Sequence, residues 1–436
     1  MNETYIAAIE IGSSKITGAV GLYTSDQTLK VLAVEQEPSR DSVRYGIIQN
    51  PEEVASRVMR IIDRLNSHPA VAPRTVAAVF VGLSGRSMRS VANDVKLFFP
   101  EVTEITGEML NHLRDDAKAI PLESNQEILA IVPRSYSVDG METLTPKGAM
   151  GKSIAAVYDI IIGRNELKRN IQRAISERTD LEIKGMIITP LATADVVLSN
   201  DEKRLGCMLV DFGAETTSVS IYSKGALCYF ATLPMGGRNI TRDLTTLSIL
   251  EERAEEIKCE SGRAVARETP STLNLNGIKL SDVSNLVVAR AEEIVANVVQ
   301  QISYAGLAEK DLPGGVVCIG AAANLNGLLE LIENQSGLNA RMGHLPSYIQ
   351  TTEPRTKRHD TIQTAALLYA GAIRGDADCL KMPVQDTPEP EEDDDIPVNP
   401  EPDSNREKKV GRFFRTISNK FTNIFAPPSD EDSELD

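Results

Sequence analysis

Asp211, Gly213, Thr216 and Thr217 lie between two apolar runs, Met208 to Val210 and Val219 to Ile221, the pattern of a β-hairpin with an acid and hydroxyls at its bend. Those residue types suit phosphate chemistry. A glycine lets the backbone approach a phosphate closely, the turn amides and the two threonine hydroxyls can donate to its oxygens, and Asp211 can hold a hydrated divalent cation. An acid-x-Gly turn is also an ordinary hairpin bend, so by itself it leaves both readings open. The chain repeats the order, however. Ile9, Glu10, Ile11 and Gly12 precede a polar turn, Ser13, Ser14 and Lys15, and a second apolar strand from Ile16 to Val20; the two hairpins start 201 positions apart.

The elements that must position these turns follow from periodicity. After the first hairpin comes a strand around Leu29 to Val34. Asn50, Pro51 and Glu53 then supply a cap, a first-turn proline and a box-closing glutamate for a helix whose Val54, Val58, Ile61, Ile62 and Leu65 share one face. Thr75 to Leu83 reads as the next strand. Between Ser84 and Ile162 the pattern changes to short strands, Met88 to Val91, Val95 to Phe99, Ile128 to Val132 and Ala155 to Ile162, around one helix, Gly107 to Ala119, which predicts an inserted subdomain. A helix near Asn165 to Glu177 and a strand from Glu182 to Ile188 lead into the second hairpin. Gly236 and Gly237 follow it. Ser248 to Glu251 reads as a capping box for a short helix, Glu252 to Ser261, closed by Gly262 in a left-handed cap. On that helix Glu255 and Lys258 stand one turn apart, a spacing that on an exposed helix is as readily a solvated ion pair. Val283 to Ile302 mark a long amphipathic helix, and Thr361 to Ile373 a last one.

Length and charge bound the function. With 436 residues, more than one core is expected. The net charge of −16 argues against a nucleic-acid-binding surface, but it is uneven: residues 383–436 carry 15 acids and 6 bases, leaving −7 for the rest. Five scattered cysteines lack metal-ligand spacing and suggest a reducing cytoplasm. The N-terminus has no basic region ahead of an apolar one, and no run of 18 apolar residues occurs, so neither export nor a membrane span is expected. Residues 383–407, with six prolines and ten acids against one arginine, read as a disordered acidic linker. Residues 408–426 then invert the character. Val410, Phe413, Phe414, Ile417, Phe421, Ile424 and Phe425 share one helical face, with Lys409, Arg412, Arg415 and Lys420 largely off it, before Pro427 and Pro428. A basic helix with a large apolar face describes a membrane-surface anchor on anionic lipid, and docking on a protein is its rival reading.

Two similar halves that each offer a phosphate hairpin to a shared cleft resemble the actin-like ATPases, an α/β fold of two related lobes around a nucleotide cleft. Their third signature, a Gly-rich turn from a late strand into a helix beside the adenosine, is matched by Gly314 to Leu328, with Gly320, Ala321 and Asn324 at the turn. Together with the insertion after Gly82 to Gly85, the segment from Pro234 to Asp243 and the basic C-terminus, the chain is similar to FtsA, the family of bacterial cell-division actin homologues. The resemblance implies a domain plan. Residues 1–83 and 163–237 form the lobe cores, 84–162 the inserted subdomain, 238–302 a small subdomain of the second lobe, and 303–382 the adenosine turn and closing helix; linker, membrane helix and a short acidic tail, 427–436, follow. It implies ATP and magnesium as ligands, with Glu10 and Asp211 holding the metal or orienting a water. Gly12, Ser13, Ser14, Lys15, Gly213, Ala214, Thr216 and Thr217 would sit around the phosphates, Glu255, Lys258, Gly320, Ala321 and Asn324 on the adenosine side, and Gly236 and Gly237 would also bind the nucleotide. Its implied partners are the FtsZ C-terminal peptide, a second copy in a filament, the cytoplasmic membrane and other division proteins at the septum.

The chain departs from the wider pattern. Actin relatives usually carry Asp where Glu10 stands, and their second hairpin reads Asp-x-Gly-Gly-Gly-Thr where this one has Ala214 and Glu215. A carboxylate at Glu215 would repel phosphate unless magnesium or Lys15 compensates. Nucleotide binding with slow or absent turnover is therefore expected. A sugar or acetate kinase shares the cradle without reason for the tail, a heat-shock-type chaperone would add a folded β-domain, and the pilus-assembly actin homologue PilM shares the insertion and lacks the membrane helix.

Overall fold

A computed structural model describes residues 3–266, 274–275, 277–351, 361–375 and 378–383, all within the unit Met1–Pro383. The linker and the amphipathic segment, including Val410, Arg412, Phe413, Phe414, Ile417, Phe421, Ile424 and Phe425, lie outside the described residues.

Three strands, β1 (Thr4–Ile11), β2 (Lys15–Tyr23) and β3 (Leu29–Pro38), pair antiparallel as the apolar runs predict. A two-residue turn joins β4 (Val43–Arg44) to β5 (Ile47–Ile48). Helix α1 (Pro51–Asn66) starts where the cap predicts it. Asn50 accepts from the Glu53 amide at 3.2 Å, but the Glu53 side chain pairs with Arg57 and does not close the box. Val54, Val58, Ile61, Ile62 and Leu65 are all buried. The strand expected over 75–83 breaks in two. Val76 in β6 (Thr75–Val76) pairs with Leu380, whereas β7 (Ala78–Leu83) joins the main sheet.

Next come β8 (Arg89–Glu104), α2 (Gly107–Asp116), β9 (Gln126–Val138), β10 (Met141–Thr143) and β11 (Met150–Arg164). These strands are longer than their apolar runs. One face packs on α2 through Leu113, Ile154, Ala156, Tyr158 and Ile160, while Asp94 and Lys96 stand on the open face. A charge that reads as a break in a fully buried strand is only the outer position of a half-buried one.

The chain continues through α3 (Glu166–Ala174), β12 (Glu182–Ile188), α4 (Thr189–Val197) and α5 (Asn200–Leu205) to β13 (Cys207–Phe212), β14 (Thr217–Ser223) and β15 (Ala226–Leu233). Helices α6 (Gly237–Thr245) and α7 (Glu251–Ser261) precede the short pair β16 (Asn274–Leu275) and β17 (Ile278–Lys279), the 25-residue α8 (Leu280–Tyr304), β18 (Val316–Ile319), α9 (Leu328–Ser336) and β19 (Ala340–Met342). Last come β20 (Ile349–Thr351), α10 (Ile362–Ala372) and β21 (Leu380–Lys381). The cap expected around α7 differs at both ends. Leu250, not Ser248, takes the N-cap, and Gly262 is extended at φ −65° and ψ 137°. A Cβ there would sit 2.4 Å from the Lys258 carbonyl oxygen, so close approach, not handedness, calls for the glycine.

The two principal sheets are topological copies. One runs β12-β7-β1-β2-β3-β20, and the other contains β19-β18-β13-β14-β15 in the matching order, with the hairpin pairs antiparallel and β7 and β18 parallel to β1 and β13, so β12 and α4, expected in the core of the second lobe (163–237), instead complete the first. Their outer edges are exchanged. The second half sends β20 to β3, and the inserted strands extend the second sheet: Arg89 pairs with Ala231, and Ser90 Oγ accepts from the Phe230 amide at 2.8 Å. Arg134 reinforces that joint, donating to fully buried Asp159 and to the Cys228 carbonyl. The insertion thus leaves the chain in one lobe and is hydrogen-bonded to the other.

Candidate nucleotide site

Both turns form the same tight loop. The Gly12 amide donates to the Lys15 carbonyl at 3.0 Å, and the Gly213 amide to the Thr216 carbonyl at 2.9 Å. Each hairpin carries its acid on the strand before the turn, Glu10 opposite Thr17 and Asp211 opposite Ser218. Burial raises Glu10 to about 7, with the facing Asp211 adding to it, and raises Asp211 to about 6. The hydroxyl of Thr189, at the start of α4, donates to Glu10 Oε2 at 2.9 Å, and the amide nitrogen of Gln363, on α10, donates to Asp211 Oδ1 at 3.0 Å.

Glycines line the floor because nothing larger fits. A Cβ on Gly82 would lie 2.0 Å from Glu10 Oε2, and one on Gly320, at φ +88°, would lie 2.4 Å from the Phe212 carbonyl and 2.5 Å from Asp211 Oδ1. Gly236 and Gly237 press on the second turn from α6. The Gly237 amide donates to the Gly213 carbonyl at 3.0 Å and the Arg238 amide to that of Ala214 at 2.7 Å. Lys258 Nζ reaches the Gly237 carbonyl at 3.2 Å, Thr241 at 3.0 Å and Glu255 at 2.6 Å. Burial opposes ionisation of Glu255, but the Lys258 charge and its hydrogen bonds hold it below the usual carboxylate range. Ala322, just past Gly320 and Ala321, packs against Gly237. The structure therefore gathers the two hairpins, Gly236, Gly237, Glu255, Lys258, Gly320 and Ala321. Asn324 is exposed and its amide folds back on the Ala321 carbonyl.

Two expectations change. Thr217 is fully buried and spends its hydroxyl proton on the Met235 carbonyl at 2.8 Å, which leaves Thr216 as the threonine of the turn with side-chain access. Glu215 is not a loose charge beside the phosphates. Its carboxylate is buried, accepts from the Tyr45 amide at 2.7 Å, and pairs with Arg44 at 3.0 Å, Arg238 at 3.2 Å and Arg242 at 2.9 Å. The next residue of the β4-β5 turn, Gly46, donates its amide to Ser13 Oγ at 2.9 Å, so that turn touches both hairpins. Sequence reasoning missed Thr189, Gln363 and this arginine cluster.

Among the described residues no group of three or more His, Cys, Asp or Glu could hold a metal directly. Two mutually repelling half-buried carboxylates suit a magnesium ion that keeps most of its waters and binds phosphate oxygens. Glu10 and Asp211 fit that demand.

Two repeated lobes that each lend a hairpin and a half-buried acid to one cleft define an actin-like ATPase fold. Consistently, the solved PilM-PilN type IV pilus biogenesis complex superposes with a TM-score of 0.59 at 16% identity, covering 84% of this chain and 97% of that one. The family model for cell division protein FtsA matches residues 208–357, and that for the SHS2 domain inserted in FtsA matches 85–162. Cell division protein FtsA of Porphyromonas gingivalis is 32% identical over 348 residues, 77% of this chain and 72% of that protein. FtsA of Bacillus subtilis is 28% identical, covering 81% of each. The chain belongs to the FtsA family of cell division proteins.

Proposed function

We propose that the protein binds magnesium-ATP between its two hairpins, assembles head to tail, and tethers FtsZ filaments to the cytoplasmic face of the membrane at the septum. The observation that carries the reading is the pair of hairpins bringing Glu10 and Asp211 to one cleft in a chain of a cell-division family. Gly12 to Lys15 and Gly213 to Thr216 would cradle the phosphates, and Glu255 and Lys258 would border the ribose and adenine. Magnesium, when bound, would neutralise phosphate charge. The residues' own part is to orient it, with Glu10 held by Thr189 and Asp211 by Gln363. Residues 238–302 would receive the FtsZ C-terminal peptide, and residues 408–426 would lie on anionic lipid. One such helix is a marginal anchor, which assembly multiplies.

A fluorescent FtsZ C-terminal peptide titrated against the full chain should show saturable binding. Sedimentation with anionic vesicles tests the anchor. Burying a phenylalanine is worth roughly 1.5 to 3 kcal/mol against about 1 for a base near an anionic surface, so Phe414→Glu should abolish sedimentation and Arg415→Ala only reduce it. A Phe414→Glu protein that sediments like the parent would make the segment a protein-docking element.

A further inference from the structure

Gln363 is singular in this cleft. It stands in the first turn of α10, a helix packed on β1, β2 and β7 of the first lobe, yet its amide nitrogen donates to Asp211 of the second at 3.0 Å. An ionised carboxylate only accepts, so the nitrogen must face Asp211, and the carbonyl oxygen Oε1 points elsewhere. That oxygen is buried and has no partner among the described residues. A buried acceptor without a donor forfeits the hydration it had in the unfolded chain, so such an atom calls for an occupant. The other side chains at the floor leave that acceptor unmet: Thr189 donates to Glu10, and Thr217 to Met235. Hydrated magnesium keeps several waters, each an obligatory donor.

We propose that Gln363 is the positioning residue for the cation's water shell, its nitrogen orienting Asp211 and its carbonyl oxygen accepting a hydrogen from a magnesium-bound water. This rests on the magnesium-ATP reading given above. It also couples α10 of the first lobe to a cation that Asp211 of the second helps to hold. Groups that orient the immediate partners of a metal typically change its affinity by 10- to 100-fold when removed.

Calorimetry of ATP binding to the full chain, in excess magnesium and in EDTA, tests it. Gln363→Leu, close in volume, should lower affinity roughly tenfold in magnesium and less than twofold in EDTA. Equal losses in both conditions, or none in either, would overturn the water role; the first result would make Gln363 a packing contact between lobes. Should the leucine variant not fold, as judged by thermal unfolding without nucleotide, Gln363→Met carries the same two expectations. A parent that binds ATP in neither condition would instead overturn the nucleotide reading itself.

Discussion

The two hairpins of the cleft are the same backbone solved with opposite chemistry at the turn. The first keeps small hydroxyls: Ser13 is held by the Gly46 amide, and Ser39 donates its hydroxyl to the Gly12 carbonyl at 2.5 Å. The second places Glu215 at the matching bend and surrounds it with three arginines. Their acids differ as well. Glu10 is steadied by Thr189 of its own lobe, and Asp211 by Gln363 of the other. One hairpin is thus anchored locally and the second across the cleft. A repeated fold can keep the geometry of a cleft while reassigning which half of the molecule supports it.

The harshest way to break the comparison is a carboxylate in each turn. Gly12→Asp and Gly213→Asp should each abolish measurable ATP binding, because a fixed negative charge would meet the phosphates at van der Waals distance. If both turns cradle phosphate, the two losses should be similar by calorimetry. An unchanged affinity in either variant would remove that hairpin from the site.

Next in size is the arginine cluster. Removing Glu215 leaves Arg44, Arg238 and Arg242 facing one another without their shared anion, and breaking a buried pair from one side is strongly destabilising. Because the arginines are partly exposed, Glu215→Ala should cost about 2 to 3 kcal/mol in denaturant unfolding. Ser14→Ala, at the exposed position of the first turn, should stay within about 0.5 kcal/mol. Equal effects would mean that the cluster is merely a surface network.

Acidity separates the two carboxylates more gently. Both are raised in the folded state, Glu10 to about 7 and Asp211 to about 6, so the folded protein retains protons that the unfolded chain has released. The stability they contribute is complete below the ordinary carboxylate range and is lost as pH rises through 6 and 7. Without nucleotide, the melting temperature should therefore fall between pH 5.5 and 7.5, less so in Glu10→Gln. Magnesium-ATP affinity should move the opposite way, rising several-fold over the same interval, because the cation binds only the ionised acids. Parallel trends would refute the assignment of these acids to the metal.

The lobes, both hairpins and most helices were legible because their apolar periods are long and their strands are buried on both faces. The inserted strands were under-read, since Asn93 and Asp94 interrupt an apolar run but not a half-exposed strand. Local signals erred at α7, where Ser248 and Gly262 have the residue types of caps while tertiary packing sets their conformations. The support of the site was illegible for a different reason. Thr189 and Glu10 are 179 positions apart, Gln363 and Asp211 152, and Tyr45 and Glu215 170, and no local spacing encodes such contacts.

The finest test concerns the two register-matched positions after the turns, Ile16 in the first hairpin and Thr217 in the second, both fully buried. An apolar residue suffices at one, whereas at the other a hydroxyl satisfies the Met235 carbonyl, which leads directly into Gly236 and Gly237. Thr217→Val keeps the shape and the β-branch but leaves that carbonyl short of a donor, at a cost of about 1 kcal/mol. Thermal unfolding should register the loss while ATP affinity in magnesium stays within about twofold, because the hydroxyl proton never reaches the cleft. A valine variant with full stability and a tenfold weaker affinity would mean that Thr217 turns toward the phosphate when nucleotide binds. The second hairpin would then be the adjustable one of the pair, and the likeness of the two turns would hold only in the absence of ligand.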